Sequence, residues 1–209
     1  MSASQAKPFK VIVVGDSSVG KTSLTNRLVG IESENPQPTV GVGRHTHRMR
    51  VNDQDVPIDI HDTAGMETFR AVVPNFYRHA DGALVVFDLT DRQTFVDVHE
   101  WVQDVPKNIP IVVVGNKSDL KDRRQVPPED IEQYTSANGF EFIPTSARNG
   151  THVIDAFTNL IVKMMEVRRR LLANPAEDGG GEENAVIHVQ HEDTTESWLE
   201  RWTFGWCVI

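Results

Sequence analysis

The sequence predicts an α/β fold, a mostly parallel sheet of about six strands with helices on both faces. Two observations carry that prediction. Short runs rich in β-branched residues, PFKVIVV (8–14), VPIDI (56–60), GALVVFD (82–88) and IPIVVVG (109–115), are almost continuously apolar, as strands covered on both faces must be. Between and after them stand segments of helical length at 20–29, 67–78, 92–104, 129–138 and 152–172, and strands alternating with helices build a parallel sheet.

The remaining elements follow from the same patterns. RMRVN (48–52) alternates charge with apolar residues and reads as an edge strand, and FEFIP (140–144) as the last parallel strand. Val153, Ile154, Phe157, Leu160, Ile161, Met164 and Met165 recur at helical spacing, so the last helix lays one face on the sheet with its two methionines as core filler. Arg168–Leu172, RRRLL, is the one basic cluster and is placed to meet that helix's C-terminal dipole. Past Ala173 the periodicity stops. The expected organisation is therefore one domain over 8–172 and an acidic flexible tail over 173–209, with NPAEDGGGEEN (174–184) as its linker.

Charge and cysteine content narrow the function classes. Of 30 acids and 21 Lys and Arg, the tail holds eight acids and one base, Arg201, which leaves the body near balance at 22 acids to 20 bases. A chain that grips a phosphate backbone needs a basic surface, so nucleic acid is not an expected partner. The single cysteine, Cys207, permits no intrachain disulfide. MSASQAKPFK contains no apolar signal core, Ser2 is not a myristoylation glycine, and no run reaches transmembrane length, so a cytoplasmic chain is expected. The 8 histidines form no zinc-binding spacing; His45 and His47 share a strand face, but two ligands do not make a site.

The first chemical signal is GDSSVGKT, Gly15 to Thr22, which fits GxxxxGK[ST] between a strand and the helical SLTNRLV. Each part has a physical reason. Glycines let the backbone curl until its N–H groups face phosphate oxygens, and the helix N-terminus adds partial positive charge. Lys21 reaches the β- and γ-phosphates, and the Thr22 hydroxyl suits Mg²⁺.

The second signal names the base. NKSD, Asn116 to Asp119, follows a strand, and a carboxylate there accepts both the ring N–H and the exocyclic amine of guanine. Adenine has no such donor pair, and a site built on it rejects the wrong base by about 10⁴. Lys117 can lay its stem over the base, and Asn116 can tie neighbouring loops together. TSARN, Thr145 to Asn149, follows the next strand and could offer the Ala147 N–H to the base oxygen. Loops at the carboxyl ends of strands converge where open α/β sheets bind ligands. An ATP-dependent enzyme is the distant alternative, disfavoured by NKSD.

GDSSVGKT, DTAGMETFR, FYRHADGALVVFDLTD, VVVGNKSDL and TSAR stand in an order and at intervals that resemble the small GTPases of the Ras superfamily, most closely the Rab branch, over roughly 8–172. The resemblance implies the P-loop NTPase fold and a switch between GTP and GDP with Mg²⁺. It assigns nucleotide contacts to Gly15, Asp16, Ser17, Ser18, Val19, Gly20, Lys21, Thr22 and Ser23 in the P-loop. It adds Thr39 and Gly65 in the switches and Asn116, Lys117, Asp119, Ser146, Ala147 and Arg148 around the base. Thr22, Thr39 and Asp62 would hold the metal, while Lys21, Thr39 and Gly65 would serve hydrolysis. Effectors, exchange factors and activating proteins are the implied partners, and vesicle traffic at the cytosolic face of an endomembrane the implied setting.

Departures from that pattern are specific. Where the family places a glutamine that orients the attacking water, this chain has Met66. A thioether donates nothing and accepts weakly, so slow hydrolysis is expected, with a nearly GTP-locked binding platform as the alternative. In the bland reading Met66 lies on the surface and Glu67 or a partner supplies the polar group. IESENPQP, ahead of Thr39, lacks the aromatic that leans on the base and is one residue short, which points to faster nucleotide release. Arg44 and His61 replace the Phe and Trp of the usual effector-reading patch, so different effectors, or few, are expected.

The tail departs as well. A helical SWLERWTFGWCVI would put Trp198, Trp202 and Trp206 on one face, an anchor for a membrane or a partner groove. The competing reading is a structureless end with a few aromatics. CVI is one residue short of C-a-a-X, and neither a cysteine pair nor a polybasic stretch accompanies it, which argues against prenylation of Cys207.

Overall fold

A computed structural model describes residues 7–31, 42–63, 77 and 79–173. The strands β1 (Phe9–Val14), β2 (Val42–Val51), β3 (Gln54–Thr63), β4 (Gly82–Asp88), β5 (Ile111–Asn116) and β6 (Glu141–Pro144) form a sheet of 6 strands in the order β2-β3-β1-β4-β5-β6. Only β2 and β3 run antiparallel; every other pair is parallel. From β1 the chain builds outward to β3 on one side and to β4 on the other. That reversal opens a crevice at the carboxyl ends of the strands.

Among the described residues the α-helices are α1 (Lys21–Val29), α2 (Arg92–Val96), α3 (Val98–Asp104), α4 (Pro128–Asn138) and α5 (Val153–Ala173). Because strand side chains alternate, the central strands feed two cores. Val11, Val13, Leu84, Val86, Val112 and Val114 pack with α1 and α5, while Ile12, Val14, Val85, Phe87 and Val113 pack with α2, α3 and α4. All seven residues of β4 are buried, as its unbroken apolar run requires. Helix α5 sits so close to the sheet that a Cβ on Gly82 would come 2.6 Å from the Met164 sulfur. Leu160, fully buried on that face, should cost about 2–5 kcal/mol when cut to alanine, measured by urea unfolding.

The structure revises three expectations. The edge strand is 10 residues long, extending back from RMRV to Val42, because it zips onto all of β3 around a turn at Asn52 and Asp53. Both turn residues take positive φ, 47° and 61°, as the tightest hairpins demand. The helix expected over 92–104 is two pieces with Asp97 between them as a turn residue; bonds from Asp97 N–H to Gln93 O and from Trp101 N–H to Asp97 O carry the ladder across. Arg168 does not turn to its own helix end. Its guanidinium lies 3.4 Å from the centre of the Phe9 ring and donates to Lys7 O, so α5 clamps the start of β1. The helix expected at 67–78 falls outside the described residues except for buried Tyr77.

Candidate nucleotide site

β1 ends in the loop Gly15–Gly20, and α1 begins at Lys21. Gly15, Ser18 and Gly20 have φ of 137°, 62° and 99°, an alternation that turns successive N–H groups toward one concavity. The two glycines are needed for space as well. A Cβ on Gly15 would strike the Val86 carbonyl, and one on Gly20 the Asn116 amide. Val19 is fully buried and pins the loop, Ser17 and Ser18 are exposed at its tip, and Ser23 is half-buried in the first turn of α1.

Lys21 is buried, and its Nζ donates to the carbonyls of Gly15 at 2.8 Å and Asp16 at 2.5 Å. Burial pulls its pKa down to about 8, against Asp62 and Asp16, which favour the charged form. An anion brought into the concavity would restore the full charge. Beside it the Thr22 hydroxyl donates to Asp62 Oδ2 at 2.5 Å. Asp62, 1 % exposed near the end of β3, thus joins a hydroxyl at the mouth of the loop, a hard-oxygen pair of the kind that Mg²⁺ takes together with phosphate oxygens. Thr22 and Asp62 fit that ion; its contribution would be to neutralise and orient phosphate oxygens.

The residues expected to meet the base come from the ends of β5 and β6. Asn116 is the joint. Its Nδ2 donates to Val19 O in the phosphate loop at 2.8 Å, while its Oδ1 accepts from Ala147 N at 3.1 Å and Thr145 Oγ1 at 3.4 Å. The Ala147 N–H expected for the base oxygen is therefore already shared with Asn116. Asp119 Oδ1 accepts from Ser146 Oγ at 2.7 Å, and Ser118 N–H donates to Thr145 O, so the carboxylate is held by the neighbouring turn. Lys117, at φ 65°, sends its ammonium to buried Asp88, 2.5 Å away. Arg148 is exposed in the turn after Ala147. Thr39, Gly65 and Met66 lie outside the described residues.

Two contacts were not singled out in the sequence. Asp88, at the end of β4, fixes Lys117, and the indole of Trp101 donates to Asp16 Oδ1 at 2.7 Å. The only available hints were an acid closing an apolar strand and the one tryptophan of the body. Burial pushes the Asp16 carboxyl up to about 6; the Trp101 bond opposes this and nearby Asp97 reinforces it.

Away from the loop, the outer face of the β2–β3 hairpin is polar. Arg44 reaches Asp59 at 2.6 Å, Thr46 the same carboxylate, Arg48 reaches Asp55 and Arg50 reaches Asp53. His61 lies directly across from Arg44, and burial, Lys10 and Arg44 together lower its pKa against the pull of Asp59.

A family model described as the Ras family matches residues 10–166, three quarters of the chain. The chain belongs to the Ras family. It is a small GTPase similar to proteins of the Rab branch. It is 39 % identical over 172 residues to the Ras-related protein RABA4b of Arabidopsis thaliana, covering 79 % of this chain and 77 % of that one. Against the Ras-related protein Rab11D of Nicotiana tabacum it is 36 % identical over 179 residues, with 82 % and 81 % covered. Against Rab11A of Lotus japonicus the identity is 38 % over 179 residues, with 83 % and 79 % covered. In this Rab-like GTPase the loop Gly15–Thr22 and the cluster Asn116–Asp119–Ser146 face one crevice as parts of one hydrogen-bonded frame.

Proposed function

We propose that this Rab-like GTPase is a slow GTP/GDP switch in membrane traffic, acting at the cytosolic face of an endomembrane. The observation that carries the nucleotide reading is Asn116, which bonds at once to the phosphate loop and to the base-side turn. A ligand spanning both must present phosphates at one end and guanine at the other. The domain over 8–172 supplies the pocket, and the tail over 173–209 supplies attachment to a membrane or a partner. Effectors, an exchange factor and an activating protein complete the cycle. The ion-paired hairpin face, with Arg44 and His61 where relatives offer aromatics, selects effectors by polar contacts.

Slow turnover follows from Met66, which cannot hold a water in line with the γ-phosphorus or follow the charge that develops there. A loss of about ten- to a hundredfold corresponds to roughly 1.4 to 2.7 kcal/mol of barrier. Met66→Gln should recover it in single-turnover decay of protein-bound GTP, with affinity nearly unchanged. Wild-type decay as fast as that of the glutamine variant would rule out slow catalysis. The same residue favours a second reading, a nearly GTP-locked platform with vestigial hydrolysis. Decay that an activating protein cannot accelerate, with GTP the nucleotide that co-purifies, selects the platform; activated decay and co-purifying GDP select the switch.

A further inference from the structure

Trp101 stands on α3, 85 positions from Asp16 in the chain, yet its Nε1 lies 2.7 Å from the Asp16 carboxylate. The ring is 3 % exposed and belongs to the core that α2, α3 and α4 share with the sheet. An indole N–H donates only, and once buried it needs an acceptor. Asp16 needs the bond more. A carboxylate inside a phosphate cradle repels the phosphates and competes with them for the loop N–H groups. Drawn onto the indole, it is turned aside. The backbone of the same residue does the opposite work, because its carbonyl is where Lys21 Nζ rests at 2.5 Å. Asp97, at the start of α3, presses on Asp16 as a second acid and makes an indole donor there still more necessary.

We propose that Trp101 is a positioning residue of the phosphate cradle: by holding the Asp16 carboxylate it sets the loop on which Lys21 rests, and thereby slows nucleotide release. This rests on the guanine-nucleotide reading above. It adds that a core helix on the far face of the sheet tunes the residence time of the nucleotide.

The test is a double-mutant cycle on the full-length protein loaded with mant-GDP, a fluorescent GDP analogue, in Mg²⁺ and chased with unlabelled GDP. Trp101→Phe keeps the ring in the core and removes the N–H; Asp16→Ala removes the acceptor. Each single change should speed release about three- to tenfold, the range that corresponds to the net worth of an ordinary hydrogen bond, and the double variant should release no faster than the faster single one. A core-packing role alone would give independent effects that multiply. Multiplying effects, or wild-type release from Trp101→Phe, would overturn the proposal. Failure of the wild-type protein to retain mant-GDP would instead sink the nucleotide reading. Should Trp101→Phe not fold, the emission of Trp101 itself decides. With Trp198, Trp202 and Trp206 changed to Phe, Trp101 is the last of the 4 tryptophans. Its emission should then shift when Asp16 is removed, together with faster release; an unchanged spectrum refutes the contact.

Discussion

Asp119→Ala should abolish the preference for guanine over adenine, reducing the ratio of GTP to ATP affinity by up to about 10⁴. The reason is local. Ser146 holds one carboxylate oxygen of Asp119, and an ionised carboxylate has further lone pairs to give. Guanine meets them with two donors on one edge. Adenine presents an acceptor where guanine has its ring N–H, so the carboxylate is left facing a lone pair after losing its water. Alanine removes both the attraction and the penalty, so most of the effect should appear as weaker GTP binding and a smaller part as stronger ATP binding. Calorimetric titration of each nucleotide in Mg²⁺ reads both. An unchanged ratio would mean that discrimination lies elsewhere, and with it the whole assignment of the base pocket.

Lys21→Met should weaken GTP binding about a hundredfold or more, since under the proposed function it deletes the charge that meets phosphate while keeping the length of the stem. Folding should respond differently. Burial already pulls Lys21 down to about 8, so the empty protein gains little by keeping this charge inside. What it loses is two hydrogen bonds, to Gly15 O and Asp16 O, each worth about 1–3 kcal/mol. Relief of the buried charge offsets part of that. The thermal midpoint of the nucleotide-free variant should therefore fall modestly, while its affinity collapses. Near-normal GTP affinity with a native circular dichroism spectrum would show that Lys21 serves the loop's shape and not the ligand.

Legibility along the chain divided by distance. The phosphate loop was readable because its chemistry is carried by neighbouring residues: two glycines that tolerate positive φ, a lysine and a threonine at the start of a helix. The central strands were readable because burial on both faces demands unbroken apolar runs such as GALVVFD. The hairpin was only half visible. RMRV alternates with a period of two, but GRHTH, rich in polar side chains, offers no apolar signal, and only pairing with β3 makes it strand. Likewise the interruption at Asp97 leaves no mark, since VDVHE is compatible with continuous helix.

The amino-acid order by itself determined the class of fold through runs along the chain and the glycine-rich loop through adjacent residues, and it raised, through NKSD and Met66, the expectations of guanine selectivity and slow hydrolysis, because each of these motifs is written in residues a few positions apart. Only the tertiary structure decided how the pieces support one another: Asn116 on Val19, Ser146 on Asp119, Asp88 on Lys117 and Trp101 on Asp16. Those partners lie between 27 and 97 positions apart. Hydrogen bonds over such separations form because the parallel strands bring their carboxyl ends to one edge and the helices cover the two faces, and no local pattern of residues encodes that meeting.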